Sequence, residues 1–176
     1  MATKSGLTLL KKEIRILGLS SRPIGDYETL FVGVVFRGSL WLDAVFSCIL
    51  DTKQRDFLAK LSRAIRNCHQ YPQLHALVLR EDLFARPSQM IPRLSRKIGL
   101  PILAMTQKPS KRAANRRISA GGRSISVRPV GTDRDRAREI FVVGSGTSRR
   151  FPEALRVAEL ITKPNLRRIR IWKNPG

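Results

Sequence analysis

The chain has 176 residues, of which 34 are Lys or Arg and 13 are Asp or Glu, so its formal net charge is +21. This length suits one domain, and 42% hydrophobic residues are enough to build a buried core. In a compact fold, so many basic side chains repel one another, and a bound polyanion reduces that repulsion. Nucleic acid is therefore the leading partner class. The apolar runs are too short to span a bilayer and the N-terminus lacks a signal peptide, so we expect no membrane partner and a cytoplasmic location.

The first third of the chain predicts three strands. They cover residues 12–19, 29–37 and 39–50, and the first stops at Ser20 and Ser21. Only Gly38 separates the second from the third, and glycine adopts the positive φ of a tight reversal without strain. The second and third strands are therefore predicted to form an antiparallel hairpin.

A helix is predicted next, capped by Asp51 or Thr52 and extending to about Cys68. Its apolar residues recur with a period of 3.6 on one side, whereas Arg55, Arg63 and Arg66 share another. We expect the apolar stripe to pack on the sheet and the basic stripe to face outward.

The middle of the chain alternates buried strands with a helix. Residues 74–79 form an uninterrupted apolar run, a helix pattern over 88–98 ends at Gly99, and 101–105 is again apolar. Such runs are typical of strands covered on both faces, and a helix between them implies a βαβ crossover. The sequence predicts an α/β fold with a mixed sheet flanked by helices.

Two basic segments without acids follow. The first is an excursion over 108–128 and the second a C-terminal tail over 163–173, with a predicted strand at 139–143 and a closing helix at 152–162 between them. Arginine dominates in both segments, as suits bidentate phosphate contacts. We expect the excursion to be disordered until nucleic acid binds.

Several further residues have both a structural and a functional interpretation. Cys48 and Cys68 lack CxxC spacing and are expected to be buried and reduced, and with only two histidines a zinc site is not expected. Trp41 is predicted to lie in the core, whereas Trp172 could stack on a base or pack against a partner. The stretch VVGSGTS, residues 142–148, is read as a strand-to-helix turn, with phosphate contact by the adjacent Arg149 and Arg150 as the functional alternative.

Four blocks of sequence carry a family resemblance, namely LFVGVVFRGSLWLDAVFS at 30–47, YPQLHALVL at 71–79, GLPILAMTQKP at 99–109 and RRFPEALRVAELI at 149–161. In this order and spacing they resemble an uncharacterised archaeal family of the endonuclease V superfamily. The resemblance covers about residues 12–162 and implies a ribonuclease H-like fold. It divides the chain into an endonuclease V-like domain at 1–162, which includes the excursion, and a basic tail at 163–176.

The resemblance also implies a metal site that this chain has altered. Members end the first strand on an Asp that helps to hold a divalent ion in endonuclease V, and a second acid or amide follows the fourth strand. The matching positions here are Ser20, Ser21 and Arg80. Hydroxyls add no negative charge and an arginine repels a cation, so the site is expected to be degenerate, with no metal and no catalytic residue. Glu81 and Asp82 could still bind a metal if the loop shifts by one residue, or they are a solvated loop pair.

The lost acids and added basic segments together predict a non-catalytic RNA-binding protein derived from a nuclease fold, which serves as a structural component of the ribosome or of another ribonucleoprotein. Its expected partners are ribosomal RNA and neighbouring ribosomal proteins, and no cofactor is expected. Alternatives are a divalent-metal-dependent endonuclease of the endonuclease V type, acting on DNA or RNA with displaced acids such as Asp26, Glu81 and Asp82, and a DNA-coating chromatin protein. The expected nucleic-acid contacts are Lys108, Lys111, Arg112, Arg116, Arg117, Arg123, Arg128, Arg149, Arg150, Arg167, Arg168, Arg170, Trp172 and Lys173.

Overall fold

The computed structural model of the chain describes residues 13–106, 117–120, 123–146 and 151–163. These residues form a seven-stranded mixed sheet with helices on both faces, which confirms the predicted α/β architecture. The strands are β1 (Arg15–Pro23), β2 (Glu28–Arg37), β3 (Trp41–Asp51), β4 (Leu74–Arg80), β5 (Ile102–Thr106), β6 (Arg117–Ala120) and β7 (Arg123–Val130). The helices are α1 (Phe57–Arg66), α2 (Pro87–Ile98), α3 (Arg134–Ser145) and α4 (Glu153–Thr162).

The sheet has the strand order β3-β2-β1-β4-β5-β7-β6. Strands β1, β4 and β5 run parallel in its centre, and the other pairs are antiparallel. The central strands are apolar on both sides, because each face is covered by helices. Strand β1 does not stop at the serines as predicted. It remains paired with β2 as far as Pro23, so Ser20 and Ser21 lie within the strand.

Two hydrophobic layers cover the sheet. Helices α1 and α2 pack on one face through Leu58, Leu61, Ile65, Ile91, Leu94 and Ile98. Helices α3 and α4 pack on the other through Ala137, Ile140, Phe141, Ala154, Leu155 and Ala158. The outward basic stripe predicted for the first helix is confirmed for Arg63 and Arg66, which are exposed, whereas Arg55 is exposed in the turn before the helix.

The hairpin between β2 and β3 is confirmed, with Gly38 at a positive φ of 60°. The prediction that Trp41 lies in the core is wrong, because its side chain is 62% exposed. Trp41 begins β3 opposite Arg37, and β3 is an edge strand with no neighbour on its far side in the described sheet. The same strand exposes Leu42, Val45 and Ile49.

The first helix is shorter than predicted and begins at Phe57. The carboxylate of Asp51 accepts a hydrogen bond from the backbone N–H of Lys53 at 2.9 Å, which forms a turn before the helix instead of capping it. Cys48 and Cys68 are free thiols that are half-buried rather than fully buried. Burial raises the pKa of the Cys48 thiol.

The predicted strand at 139–143 is wrong, because these residues belong to helix α3. The carboxylate of Asp133 accepts a hydrogen bond from the backbone N–H of Arg136 at 2.8 Å and caps the helix. Buried Ala137, Ile140 and Phe141 then follow at helical spacing. The proposed strand-to-helix turn is wrong for the same reason: it begins inside α3, which ends at Ser145 and is followed by Gly146 with a φ of 48°. Residues 147–150 lie outside the described part.

The basic excursion also differs from the prediction. Its second half forms the hairpin β6–β7, and β7 pairs with β5 to extend the sheet. Val127 in β7 is fully buried in the core, so tertiary packing stabilises a segment whose composition predicts disorder. The predicted disorder is therefore wrong for 117–120 and 123–128, whereas residues 107–116 lie outside the described part.

Candidate active site

A cleft of about 680 Å³ opens at the carboxyl ends of β1 and β4. In open sheets with parallel strands, ligands bind at this edge. The loop after β3, the turn Glu81–Leu83 and the first turns of α1 and α2 complete the walls. The lining residues are Leu19, Ser20, Ser21, Pro23, Thr29, Phe31, Thr52, Lys53, Phe57, Arg80, Asp82, Leu83, Phe84, Ala85, Arg86 and Met90.

The cleft combines an apolar floor with a cationic rim. Phe31 and Phe84 are buried in the floor, and the ring of Phe57 is half-buried. Lys53 and Arg86 are exposed at the rim, and the Lys53 ammonium lies 3.4 Å from the centre of the Tyr27 ring. Cations next to aromatic surface favour an anionic ligand that also carries flat rings.

Arg80, the last residue of β4, lies between two carboxylates. Its Nη1 is 3.2 Å from Oε1 of Glu159, and its Nε is 3.7 Å from Oδ1 of Asp82. The Arg80 and Glu159 side chains are mostly buried, at 17% and 22% exposed, whereas Asp82 is 79% exposed. The guanidinium therefore has a fixed partner on one side and a solvent-facing partner on the other.

Ser20 is buried beneath this cluster and bonded to helix α4. Its hydroxyl lies 2.8 Å from the hydroxyl of Thr162, which donates to the backbone carbonyls of Ala158 and Glu159 at 3.1 Å. The Thr162 proton is directed to the backbone, so Ser20 is the donor in the contact between the two side chains. This bond fixes the end of α4 beside β1.

The close approach of α4 to β1 depends on Gly18. A Cβ at this position would lie 2.2 Å from the carbonyl carbon of Ala154, a distance that no folded chain accepts. Only glycine therefore allows the backbone of α4 to rest on β1. This contact brings Glu159 within reach of Arg80.

The residues at this end of the sheet do not fit a divalent cation. Every Asp, Glu, His and Cys of the sequence lies in the part of the chain that the structure describes, and nowhere there do three or more of them gather as metal ligands. Hard divalent ions require several oxygen ligands with negative charge. Here Ser20 supplies a hydroxyl, and both nearby carboxylates already face the guanidinium of Arg80.

The three acids named as displaced ligands lie apart. Glu81 forms an ion pair with Arg128 at 2.6 Å, and Asp26 is exposed in the turn between β1 and β2. Only Asp82 lines the cleft. Ser20, Ser21 and Arg80, the positions matched to the family metal site, all line it.

Most of the predicted nucleic-acid contacts cannot be placed. Arg128 is described, and its guanidinium bonds Glu81 and the backbone carbonyl of Pro87 at 3.3 Å. Arg117 and Arg123 lie in β6 and β7, with side chains outside the described part. The others lie in ranges outside the described residues and stay predictions: Lys108, Lys111, Arg112, Arg116, Arg149, Arg150, Arg167, Arg168, Arg170, Trp172 and Lys173.

Sequence reasoning missed three residues of this site, namely Lys53, Arg86 and Glu159. Glu159 was detectable as an acid near the end of the apolar closing helix, but its partner 79 residues away was not. Elsewhere in α4, a hydrogen bond from Arg156 lowers the pKa of Glu153.

Comparison with known proteins establishes the family of this chain. It is 30% identical over 179 residues to a UPF0215 protein of Methanothermobacter thermautotrophicus, covering 86% of this chain and 87% of that one. It is 28% identical to a UPF0215 protein of Methanosarcina acetivorans, covering 86% and 90%. The chain therefore belongs to the UPF0215 family, which confirms the predicted archaeal relatives. No family model matches the chain.

Solved structures share the fold at low sequence identity. A protein of unknown function from Archaeoglobus fulgidus matches with a TM-score of 0.65 at 16% identity, over 85% of this chain and 96% of that one. Human endonuclease V matches with 0.60 at 14%, over 85% and 83%. Endonuclease V of Ciona intestinalis, in complex with an inosine-containing DNA, matches with 0.63 at 9%, over 88% and 87%. The chain has the endonuclease V fold, as predicted.

These comparisons correct two predictions. The matched structures named above that have a stated activity are endonucleases, and this finding contradicts the prediction of a non-catalytic pseudo-nuclease. The prediction of a ribosomal RNA-binding protein is wrong as well, since the matched relatives and structures give it no support. None of the helices in the described ranges is long and apolar enough to cross a membrane.

Proposed function

We propose that this chain is an endonuclease of the endonuclease V type that cleaves nucleic acid in the cleft at the ends of β1 and β4. The observation that carries the proposal is the position of Arg80, a cleft-lining guanidinium held by Glu159 beside the solvent-facing carboxylate of Asp82. A cation and a carboxylate side by side are the two groups that phosphodiester hydrolysis uses.

The charge of the rim supports nucleic acid as the substrate. Lys53, Arg80 and Arg86 surround the opening, and Asp82 is the one acid that lines it. The half-buried ring of Phe57 offers a surface on which a base can stack. A related fold, endonuclease V of Ciona intestinalis, has been solved with inosine-containing DNA.

Each group has a role in the proposed reaction. Asp82 accepts a proton from a water molecule whose oxygen attacks phosphorus. The bond from phosphorus to the leaving oxygen breaks, and that oxygen takes up a proton from a solvent water molecule. Arg80 stabilises the negative charge that grows on the phosphate oxygens. Glu159 is a positioning residue, because it holds the guanidinium of Arg80. Since the donor set does not fit a divalent ion, Arg80 supplies the positive charge in this scheme.

The basic segments 108–128 and 163–173 are proposed as further phosphate contacts. If six to ten basic side chains contact phosphates, affinity falls by about 10³ to 10⁵ between roughly 50 and 200 mM salt. A nearly flat salt response would favour a protein partner instead.

The test is cleavage of 30-mer DNA and RNA duplexes, with and without inosine, by the purified chain. We expect Asp82→Asn to abolish cleavage and to leave binding intact. Asp26→Asn is the matched control, because Asp26 is also an exposed acid but lies outside the cleft lining. Cleavage that survives Asp82→Asn refutes the assigned role of Asp82, and no cleavage of any of the four duplexes by the wild-type chain refutes the proposed function.

A further inference from the structure

The two helix layers of this protein differ sharply in charge. Helices α1 and α2 together carry six basic residues and no acidic residue. Helices α3 and α4, on the opposite face of the sheet, carry four basic and four acidic residues. The surplus charge of the described helices is therefore confined to one side of the molecule.

Five of the six cations of α1 and α2 form no ion pair within the described residues, compared with two of the four in the other layer. Lys60 pairs with Asp56 at 3.1 Å, whereas the remaining five are exposed and form no ion pair within the described residues. They are Arg63, Arg66, Arg93, Arg96 and Lys97. In the opposite layer, Arg136 pairs with Glu139 and Arg156 pairs with Glu153.

Helix stabilisation alone does not explain this pattern. Basic residues in the last turn favour a helix through its dipole, and Arg63, Arg66, Arg96 and Lys97 fit that role. The same effect favours acids in the first turn, yet the first turns of α1 and α2 contain none. The first turns of α3 and α4 contain Asp135 and Glu153.

The basic layer is continuous with the cleft. The opening is lined by Lys53 in the loop before α1, by Phe57 at the start of α1, and by Arg86 and Met90 at the start of α2. The two helices pack against each other. From these first turns the exposed cations extend about 15 Å along the helices, at 1.5 Å per residue. That length matches four to five nucleotides at about 3.4 Å each.

We propose that the exposed face of α1 and α2, defined by Arg63, Arg66, Arg93, Arg96 and Lys97, binds the phosphate backbone of nucleic acid beyond the cleft. This face makes sequence-independent contacts and therefore positions the substrate without reading its bases. The inference rests on the proposed function only in taking nucleic acid as the substrate. It predicts that the protein prefers substrates extending at least five nucleotides past the cleft.

The test measures binding by fluorescence anisotropy, with labelled DNA duplexes of 6 base pairs, closed as a hairpin and too short to extend five nucleotides past the cleft, and of 30 base pairs. We expect Arg63→Ala/Arg96→Ala to weaken binding of the long duplex by about 10- to 100-fold and to lower its salt slope by about 1.8. Binding of the short duplex is expected to change little, and Arg63→Lys/Arg96→Lys should retain most of the affinity for the long one. Circular dichroism checks that each variant folds.

The matched control is Arg134→Ala/Arg138→Ala, which removes the same charge from exposed positions of α3 on the opposite layer. Equal weakening by the two double variants, an equal loss on both duplexes, or no loss at all overturns the inference. Because binding is measured independently of cleavage, the experiment distinguishes a failure of the proposed function from a failure of this inference. A chain that binds through this face but does not cleave refutes the proposed function alone, and a chain that cleaves without using this face refutes only the inference.

Discussion

The guanidinium of Arg80 lies 3.2 Å from the carboxylate of Glu159, although 79 residues separate them in the chain. Arg80 ends a central strand of the sheet, and Glu159 belongs to the closing helix. The contact therefore exists only when α4 is seated on β1. A change in the packing of that helix is therefore expected to change the geometry of the cleft as well.

The seating of α4 is tested by Gly18→Ala. The new Cβ would lie 2.2 Å from backbone atoms of Ala154, so the helix must move. We expect the free energy of unfolding to fall by about 1–3 kcal/mol, as for other overpacked cores, and cleavage to fall with it. Urea denaturation measures the loss. Gly25→Ala is the control, since its Cβ would meet nothing closer than 3.5 Å, and an equal loss there contradicts the argument.

The role of Glu159 is tested by Glu159→Gln, which keeps the shape and removes the charge. Since the ion pair is partly exposed, stability should change by no more than about 1 kcal/mol. We expect kcat to fall while KM changes little, because Arg80 keeps its charge but loses its fixed orientation. Glu139→Gln is the matched control, as Glu139 pairs with Arg136 at 3.3 Å in α3, away from the cleft. A drop in stability without a drop in kcat would assign Glu159 a structural role.

The interpretation that Ser20 and Arg80 exclude a divalent ion is tested by restoring acids. We expect Ser20→Asp/Arg80→Glu to bind Mn²⁺, because Glu159 is then released from its guanidinium and three carboxylates converge. Ser20→Asp alone should not bind, because Arg80 remains. Isothermal titration calorimetry measures the difference. Equal binding by the wild-type chain would show that the native residues already hold the ion.

The pair of Glu153 and Arg156 predicts a pH dependence of stability. A hydrogen bond from Arg156 lowers the pKa of Glu153 in the folded chain, so the ionised carboxylate favours folding. This stabilisation is present above the pKa of the unfolded chain, about 4.3, and is lost as pH falls through the lowered folded value.

Glu153→Gln should therefore cost about 0.2–1 kcal/mol at pH 7. The difference from the wild-type chain should vanish in acid. Denaturation at several pH values, in a double-mutant cycle with Arg156→Gln, measures it. A constant difference across pH would place the effect elsewhere.

Local patterns predicted the central architecture because the relevant signals are local. The apolar run that became β4 and the helix ending at Gly99 needed no knowledge of distant residues. Helix α3 was missed because its stretch EIFVV contains residues with a high β-strand propensity. The cap by Asp133 and the burial of Phe141 stabilise the helix instead. Trp41 was misplaced because a sequence does not reveal which strand of a hairpin forms the sheet edge.

The candidate site could be predicted only in part. Ser20, Ser21 and Arg80 were singled out through the family resemblance, and all three line the cleft. The pairing of Arg80 with Glu159 was beyond sequence reasoning, since it depends on how α4 crosses β1. The non-catalytic role inferred from the altered residues was wrong. The absence of acids at these positions indicates which metal ligands are lost, but it does not indicate the chemistry of the side chains that replace them.

The net positive charge of this protein also keeps copies of the chain from associating through the exposed edge strand β3. Leu42, Val45 and Ile49 are exposed along a strand whose outer backbone is unpaired in the described sheet, and such edges join with those of other copies. At a net charge of +21, copies repel one another before their edges can meet. A high salt concentration screens that repulsion, so the apolar edge strands of two copies can then pair. The pure chain should therefore stay clear in dilute buffer and become turbid as salt is added.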